Sequence, residues 1–202
     1  MGGMNVRDIP LATNPSPIVA FEQRFAFQRP ITLILKEKAF SFAGDDFNIT
    51  DINKEPYFKI KRKAFSFSQK KTFYDLYDKP IYNIKHGFWK GVYNLNLGED
   101  DKQTIVKVAL LSSFSNNAYQ VTFKNLLNGR DERLELMCDH GGKVCGIFNG
   151  NAKQGAPLIC KISRENKLFS GGDKYIVEIP PNIDAALMLG LGVCFDEIKH
   201  DK

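Results

Sequence analysis

The chain ends in a stretch that is apolar on every side. From Ala185 to Phe195 there are 11 consecutive residues without a charge, and Asp184 is the one charged residue between Asn182 and Phe195. A helix with no polar face is stable only inside a protein or inside a membrane. A membrane span needs about 20 apolar residues, whereas this run would rise only about 16 Å. We therefore predict a helix that is buried in protein.

Local signals favour a helix start just before this run. We predict Asn182 as the N-cap and place Asp184 in the first turn, where a carboxylate suits the positive end of the helix dipole. Gly190 and Gly192 each lower helix propensity by about 1 kcal/mol. Both glycines suit a helix that the strands of a surrounding barrel approach closely.

From residue 31 onward, short β-type runs alternate with turn sequences. Val, Ile, Thr and aromatic residues dominate the runs, and Asn-Gly or Gly-Gly pairs supply the positive φ of tight hairpins. The predicted strands are 32–35, 39–42, 47–50, 57–62, 64–67, 72–76, 81–85, 92–97, 105–110, 119–123, 133–138, 143–148, 158–163 and 175–179. No helical pattern separates them, which disfavours a parallel sheet. We predict a mostly β fold, a closed antiparallel β-barrel of about twelve strands surrounding the hydrophobic C-terminal α-helix.

The first 30 residues differ from the rest. They contain four prolines, which break any regular pattern, and we predict a partly ordered tail in which Phe21, Phe25 and Phe27 are available to dock on the domain. The domain itself is predicted to span 31–199. Within it, Lys-Ala-Phe-Ser-Phe occurs twice, at 38–42 and 63–67, which suggests a repeated strand–turn–strand unit.

Cysteine is sparse, with Cys138, Cys145, Cys160 and Cys194 in 202 residues. This density is too low for a disulfide scaffold, and the first 20 residues hold no apolar run of signal-peptide length. We expect free thiols and a cytoplasmic chain, with peripheral membrane or nuclear association as further possibilities.

Positive charge is concentrated in the first half of the chain. Residues 1–90 hold 15 Lys and Arg against 9 Asp and Glu, while residues 91–202 hold 13 against 14. A positive field raises encounter rates with phosphates, lipid headgroups and nucleic acids. A basic surface that serves only solubility is the alternative.

Two segments carry a resemblance to a known family. Phe-Asn-Ile-Thr-Asp-Ile-Asn at 47–53 and Tyr-Phe-Lys-Ile-Lys at 57–61 resemble the Phe-x-Ile-x-Asp-x-x-Gly-x-x-x-Phe-x-Val unit of the LURP-one-related family. Tyr-Ile-Val-Glu-Ile-Pro-Pro-Asn-Ile-Asp at 175–184 is similar to the family's pattern of a strand, then Pro-Asn-hydrophobic-Asp, before a hydrophobic helix. The resemblance covers roughly 31–199.

That resemblance implies kinship with tubby C-terminal-like domains and phospholipid scramblases, and hence a twelve-stranded barrel around a central helix. Family members are linked to plant defence, with no established biochemical activity. Tubby domains bind phosphoinositides and are implicated in transcriptional regulation. Scramblases respond to calcium at an acidic segment before the helix, but here 171–175 holds a single acid, whereas calcium takes six to eight oxygen ligands.

The strongest candidate binding site is a basic strand face. Lys59, Lys61 and Lys63 alternate along one predicted strand, which directs all three to one outer face about 7 Å apart. Three more cations lie near them in sequence, and these are Arg62, Lys70 and Lys71. Each Lys or Arg contributes about 1 kcal/mol at an anionic membrane surface, so the cluster could hold a phosphoinositide headgroup. A solvated barrel face with lysines that block edge pairing is the alternative.

A second, weaker patch combines cations and an aromatic residue. It consists of Lys85, His86, Trp89 and Lys90. Trp suits a membrane interface or stacking on a base. The alternative is a tryptophan packed against the barrel wall.

No catalytic or metal-binding pattern is recognisable. Cys138, His140 and Cys145 lie within eight residues, but zinc needs a fourth ligand and a tight hairpin accounts for the spacing. The chain contains three histidines, and none of them stands in a sequence order typical of a Ser-His-Asp catalytic triad. We expect no cofactor and no enzymatic activity.

The function we predict is a binding module, expected as a monomer without a transmembrane span, that attaches reversibly to anionic phospholipid headgroups and acts in stress or defence signalling. A tubby-like regulator associated with transcription or nucleic acid is the first alternative. A scramblase-like protein with a membrane-inserted helix is the second.

Overall fold

The computed structural model describes residues 5–36, 47–62, 71–89, 91–112, 115–139, 141–165 and 174–200. These ranges contain twelve strands and one α-helix. The strands are β1 (Ile31–Lys36), β2 (Phe47–Asp51), β3 (Pro56–Arg62), β4 (Lys71–Tyr74), β5 (Pro80–His86), β6 (Val92–Leu97), β7 (Thr104–Ser112), β8 (Ser115–Lys124), β9 (Asp131–Cys138), β10 (Val144–Phe148), β11 (Leu158–Glu165) and β12 (Lys174–Ile179). The helix is α1 (Ala185–His200).

The strands form a closed antiparallel barrel. Each strand pairs with its neighbour in sequence, and β1 closes the barrel by pairing with β12, with Leu33 opposite Val177. Alternation sets the two faces, so that Ile31, Leu33 and Leu35 point inward along β1 while the residues between them are less buried. The predicted fold is confirmed. Two predicted strands, 39–42 and 64–67, lie outside the described residues together with the repeat that contains them.

Helix α1 fills the barrel. Leu187 and Leu191 are completely buried and Phe195 is 2% exposed, which confirms that the apolar run is enclosed by strands. Tyr175 of β12 packs edge-on against Phe195, with ring centroids 6.3 Å apart. The helix begins at the barrel end where β12 stops and continues to His200, five residues beyond the apolar run.

One end of the barrel is closed by the segment before β1. Isolated bridges join Ile18 to Ile183 and Ala26 to Asp184, and the ring of Phe21 stacks on that of Tyr82 at 4.5 Å. Phe21 is only 5% exposed. The segment is therefore buried at this point and not merely docked on the surface of the domain, as was predicted. The domain boundary at residue 31 stays a prediction.

Asp184 joins this segment to the helix. Its Oδ1 accepts hydrogen bonds from the amides of Ala186 and Leu187 at 3.0 and 3.2 Å, and its Oδ2 accepts from those of Ala20 and Phe21 at 3.1 and 2.9 Å. Burial raises the pKa of Asp184 to about 6, while these four amides act in the opposite direction. One carboxylate thus caps the helix and holds the N-terminal segment.

The predicted cap at Asn182 is wrong, because Asp184 occupies that role. Asn182 instead has a left-handed φ of 67° and belongs to the turn before the helix. Its amide donates to the carbonyl of Phe27 at 2.8 Å, and its carbonyl accepts from Ile18 at 2.9 Å. These bonds fasten the turn to the N-terminal segment.

Two of the expected free thiols are paired. Cys138 of β9 and Cys145 of β10 lie directly opposite each other in the sheet and form a disulfide. The prediction of free thiols was wrong for this pair because cross-strand register, not cysteine density, brings the two sulfurs together. Cys160 and Cys194 are buried and carry reduced thiols.

The two helical glycines differ in how closely the wall approaches them. A Cβ on Gly190 would lie 2.7 Å from Leu95 Cδ2 and 2.9 Å from the Tyr82 hydroxyl. A Cβ on Gly192 would meet only Ile162 Cδ1, at an ordinary contact distance of 3.7 Å. Only Gly190 is therefore required by close packing.

Alanine at these two positions should have opposite effects on stability. Gly190→Ala should lower the free energy of unfolding by about 1–3 kcal/mol, because the methyl group overpacks the core. Gly192→Ala should raise it by about 0.5–1 kcal/mol through helix propensity. Urea denaturation measures both, and a gain of stability in both variants would contradict the enclosed helix.

Removing the Asp184 carboxylate should strongly destabilise the fold. Asp184→Ala leaves four amides without their acceptor, and we expect a loss of about 3 kcal/mol or more in the free energy of unfolding. Asp8→Asn is the matched control at an exposed carboxylate, with an expected change within about 0.5 kcal/mol. Chemical denaturation with near-ultraviolet circular dichroism measures the loss, and equal stability of the two variants would be the contrary result.

Candidate functional site

The first predicted patch lies on the outer face of β3. Phe58 and Ile60 point into the core, so Lys59 and Lys61 project outward from the same strand, as the alternation predicted. Both lysines reach one carboxylate, with Nζ atoms 2.9 Å and 3.0 Å from Asp78 Oδ1. The Lys59 ammonium also donates to the Leu76 carbonyl at 3.1 Å. The two cations therefore share one counter-ion.

Asp78 belongs to the turn between β4 and β5, which folds back over the outer face of β3. Asp75 builds this turn, since its Oδ1 accepts from the amides of Tyr77 and Lys79 at 2.9 Å each. The turn also explains why β4 ends at Tyr74 although the predicted strand continued to residue 76. Hydrogen bonds from Lys59 and Lys61 hold the pKa of Asp78 below its usual range, so it stays a counter-ion at neutral pH.

Lys71 does not join Lys59 and Lys61 on that face. In the register of β3 and β4, Lys71 lies opposite Arg62 and shares the inward-facing positions of Ile60 and Phe73. Its side chain is 4% exposed. Lys63 and Lys70, together with the side chain of Arg62, lie outside the described residues. Among the described side chains of this predicted site, the structure brings together Lys59 and Lys61 and places Lys71 elsewhere.

The second patch lies where β5 turns into β6. Lys85 points outward and pairs with Asp101 at 2.9 Å, while the rings of His86 and Tyr93 lie 4.6 Å apart. Trp89 is 72% exposed, so the alternative in which it packs against the barrel wall is wrong. Lys90 lies outside the described residues.

Phe88 is the residue of this turn that the sequence analysis missed. It is 93% exposed, and its ring meets that of Trp89 edge-to-face with centroids 5.3 Å apart. Hydrogen bonds hold the turn, because the Gly87 amide donates to the Val92 carbonyl at 2.7 Å and the Val92 amide donates to the Trp89 carbonyl at 3.2 Å. Two adjacent aromatic residues between predicted strands were the available signal. We call Phe88 and Trp89 the aromatic tip.

Two groups with raised pKa values lie inside the barrel. Burial raises the pKa of the Tyr82 hydroxyl and of the Cys160 thiol, and both groups are fully enclosed. Across the described ranges, no three His, Cys, Asp or Glu residues are placed to hold a metal ion. His140 and the segment 171–173, which bear on the zinc and calcium hypotheses, lie outside those ranges.

Freeing the lysines on β3 should raise anion affinity. Asp78→Asn keeps a residue that tolerates the left-handed φ of 62° and removes the carboxylate shared by Lys59 and Lys61. We expect about fivefold tighter binding to anionic vesicles at low salt, since one unit of charge near such a surface contributes about 1 kcal/mol. Vesicle co-sedimentation measures the change, with Asp8→Asn as control. Equal binding of both variants would show that this face takes no part.

The chain is similar to proteins of one family. The family model described as LURP-one-related matches residues 31–196. Protein LURP-one-related 10 of Arabidopsis thaliana is 22% identical over 189 residues, which cover 88% of this chain and 94% of the relative. Protein LURP-one-related 15 of the same plant is 22% identical over 198 residues, covering 91% and 87%.

A solved structure shares the fold. The X-ray structure of an Arabidopsis thaliana protein superposes with a TM-score of 0.64 and 17% sequence identity, covering 90% of this chain and 98% of that one. At this identity the likeness concerns the fold alone. Among the described residues there is no helix with the length and hydropathy of a membrane span.

Proposed function

Since this chain belongs to the LURP-one-related family, we propose that it is a binding module without catalytic activity that attaches reversibly to anionic membranes from the cytoplasmic side. The observation that carries the proposal is the aromatic tip, with Phe88 and Trp89 exposed by 93% and 72%. Large aromatic side chains seldom project into water without a partner, and their amphipathic rings suit the headgroup level of a bilayer. A role in stress or defence signalling rests on the family resemblance.

The tip is built for insertion rather than for packing within the chain. Hydrogen bonds at Gly87 and Val92 hold its backbone, so little ordering entropy is lost when the two rings enter a bilayer interface. Burial of one large apolar side chain contributes roughly 1.5–3 kcal/mol. Lys85 and His86 precede the tip in β5, but the Lys85 ammonium is paired with Asp101 at 2.9 Å, so the two rings carry the attachment.

The opposite end of the barrel also exposes apolar side chains, but they are arranged differently. They lie singly or in pairs on separate turns, and they are Ile52, Leu76, Tyr77, Leu97, Leu126 and Leu127. Carboxylates accompany them, including Asp75 and Asp78 in the same turn as Tyr77. These two carboxylates are paired with Arg24, Lys59 and Lys61, and Tyr77 projects from the turn as a single exposed aromatic ring. Tyr77, at 87% exposure, therefore offers a matched aromatic control.

The lysine face on β3 supports the proposal less than its sequence suggested. Asp78 neutralises part of its charge, so Lys59 and Lys61 contribute a long-range field more than a headgroup site. The scramblase-like alternative requires the C-terminal helix in lipid, whereas the barrel encloses Leu187 and Leu191 completely. A nucleic-acid-binding regulator remains the second candidate, because an exposed ring such as that of Trp89 also stacks on bases.

Removing the aromatic tip should release the protein from membranes. We expect Phe88→Ala with Trp89→Ala to lower the partition onto phosphatidylserine-containing vesicles by at least about tenfold, because each ring loses its apolar burial. Tyr77→Ala should leave the partition unchanged. Sedimentation of vesicles with and without phosphatidylserine or a phosphoinositide provides the measurement.

Two outcomes would overturn the proposal. Equal partition onto neutral and anionic vesicles would exclude recognition of charge, and an undiminished partition of the tip variant would exclude the aromatic contact. Retention of the wild-type chain by single-stranded DNA or RNA near 50 mM salt, lost in the same variant, would instead support the nucleic-acid alternative.

A further inference from the structure

A second cationic surface lies on the outer face of β7, β8 and β9. There a concavity of about 450 Å³ is lined by Lys107, Lys124 and Arg133 among other residues. Within the described ranges no carboxylate lies at ion-pair distance from any of these three cations. They differ in this respect from the described outward-facing lysines of the two predicted patches, which are all paired with turn carboxylates.

The sheet register brings two of these cations to one point. Lys107 lies opposite Thr122 of β8, and Thr122 lies opposite Arg133 of β9. Neighbouring strands are about 4.8 Å apart, so the Cα atoms of Lys107 and Arg133 stand about 10 Å apart with Thr122 midway. Their long side chains leave the same outer face and can converge above Thr122.

These three residue types suit one phosphate group. The Arg133 guanidinium offers two parallel donors that match phosphate oxygens, the Lys107 ammonium adds a point charge, and the Thr122 hydroxyl adds a donor between them. The long side chains on both sides of Thr122 give the concavity its walls.

The rest of the concavity is not purely cationic. Lys124 lies opposite Asp131, one pleat away from Thr122 and Arg133, and Asp131 is exposed. The side-chain carboxylate of Glu132 accepts a hydrogen bond from the side-chain Nδ2 of Asn125 at 3.1 Å. A second phosphate at this edge would meet the Asp131 carboxylate, whereas hydroxyl groups can donate to it.

We propose that this concavity binds a phosphorylated polyol, with the phosphate held by Lys107, Thr122 and Arg133 and the hydroxyl groups facing Lys124 and Asp131. Free sugar or inositol phosphates and inositol-phosphate lipid headgroups share this chemistry. The site has no residue in common with the aromatic tip, so it does not depend on membrane attachment.

Titration of the whole chain with inositol monophosphate, inorganic phosphate and free inositol tests the proposal, with amide shifts read by nuclear magnetic resonance. We expect the ester to bind most tightly and to shift the amides of Lys107, Thr122 and Arg133. Arg133→Gln and Lys107→Gln should each weaken ester binding about tenfold, through loss of one charged hydrogen-bonding partner. Lys153→Gln, at an exposed lysine in the 3₁₀ turn after β10, is the matched control and should have no effect.

A variant at Asp131 tests recognition of the hydroxyl groups separately from recognition of the phosphate. Asp131→Ala should reduce the advantage of the ester over inorganic phosphate, because it removes the acceptor of the hydroxyl groups. Ester binding that is unchanged in Arg133→Gln, or equal binding of free inositol and the ester, would overturn the proposal. All substituted side chains are exposed, and equal thermal melting of the variants confirms that they fold.

Vesicles distinguish the two sources of the ligand. If a headgroup is the source, phosphatidylinositol phosphate should retain the chain more than phosphatidylserine at equal charge, and inositol monophosphate should displace it. If a free ester is the source, the two vesicles should retain it equally while the ester still binds in solution. Either result supports the site only if ester binding is also weakened in Arg133→Gln. Removing the aromatic tip should leave ester binding in solution intact, which separates this proposal from membrane attachment.

Discussion

The barrel depends on filling its interior with a helix whose first 11 residues are all apolar. A closed wall of twelve strands leaves a space that strand side chains alone do not fill, and α1 supplies Leu187, Leu191 and Phe195 to it. The cost is a helix terminus buried away from water, with amides that need acceptors. Asp184 meets that need for Ala186 and Leu187. One buried carboxylate thus permits the helix to start inside the protein.

The same carboxylate makes the N-terminal segment part of the fold. Its second oxygen accepts from Ala20 and Phe21, so the segment and the helix start share one acceptor and stabilise each other. Phe21 in turn stacks on Tyr82, whose hydroxyl donates to the Ala186 carbonyl at 2.8 Å. Helix, wall and N-terminal segment are therefore joined in one buried network at one end of the barrel. Such coupled polar contacts specify a single arrangement more strongly than apolar packing alone.

Local patterns predicted the fold well, whereas pairings between distant residues escaped them. The burial of α1 follows from 11 adjacent apolar residues, and the strands follow from alternation that the chain carries locally. The Asp184 bonds to Ala20 and Phe21 span more than 160 residues, and the prolines before β1 concealed that order. The disulfide of Cys138 and Cys145 likewise requires the register of β9 and β10.

The topology of the barrel, and not the distribution of charge along the sequence, determines which cations on the barrel wall are neutralised. Asp78 and Asp101 stand in turns at the end closed by the N-terminal segment, and these turns fold back to neutralise Lys59, Lys61 and Lys85. No such carboxylate reaches Lys107 or Arg133 within the described ranges, although their half of the chain is the less basic one. Because exposed paired charges are largely screened, Lys107 and Arg133 are more available to an anionic ligand than Lys59, Lys61 and Lys85, which are paired with carboxylates.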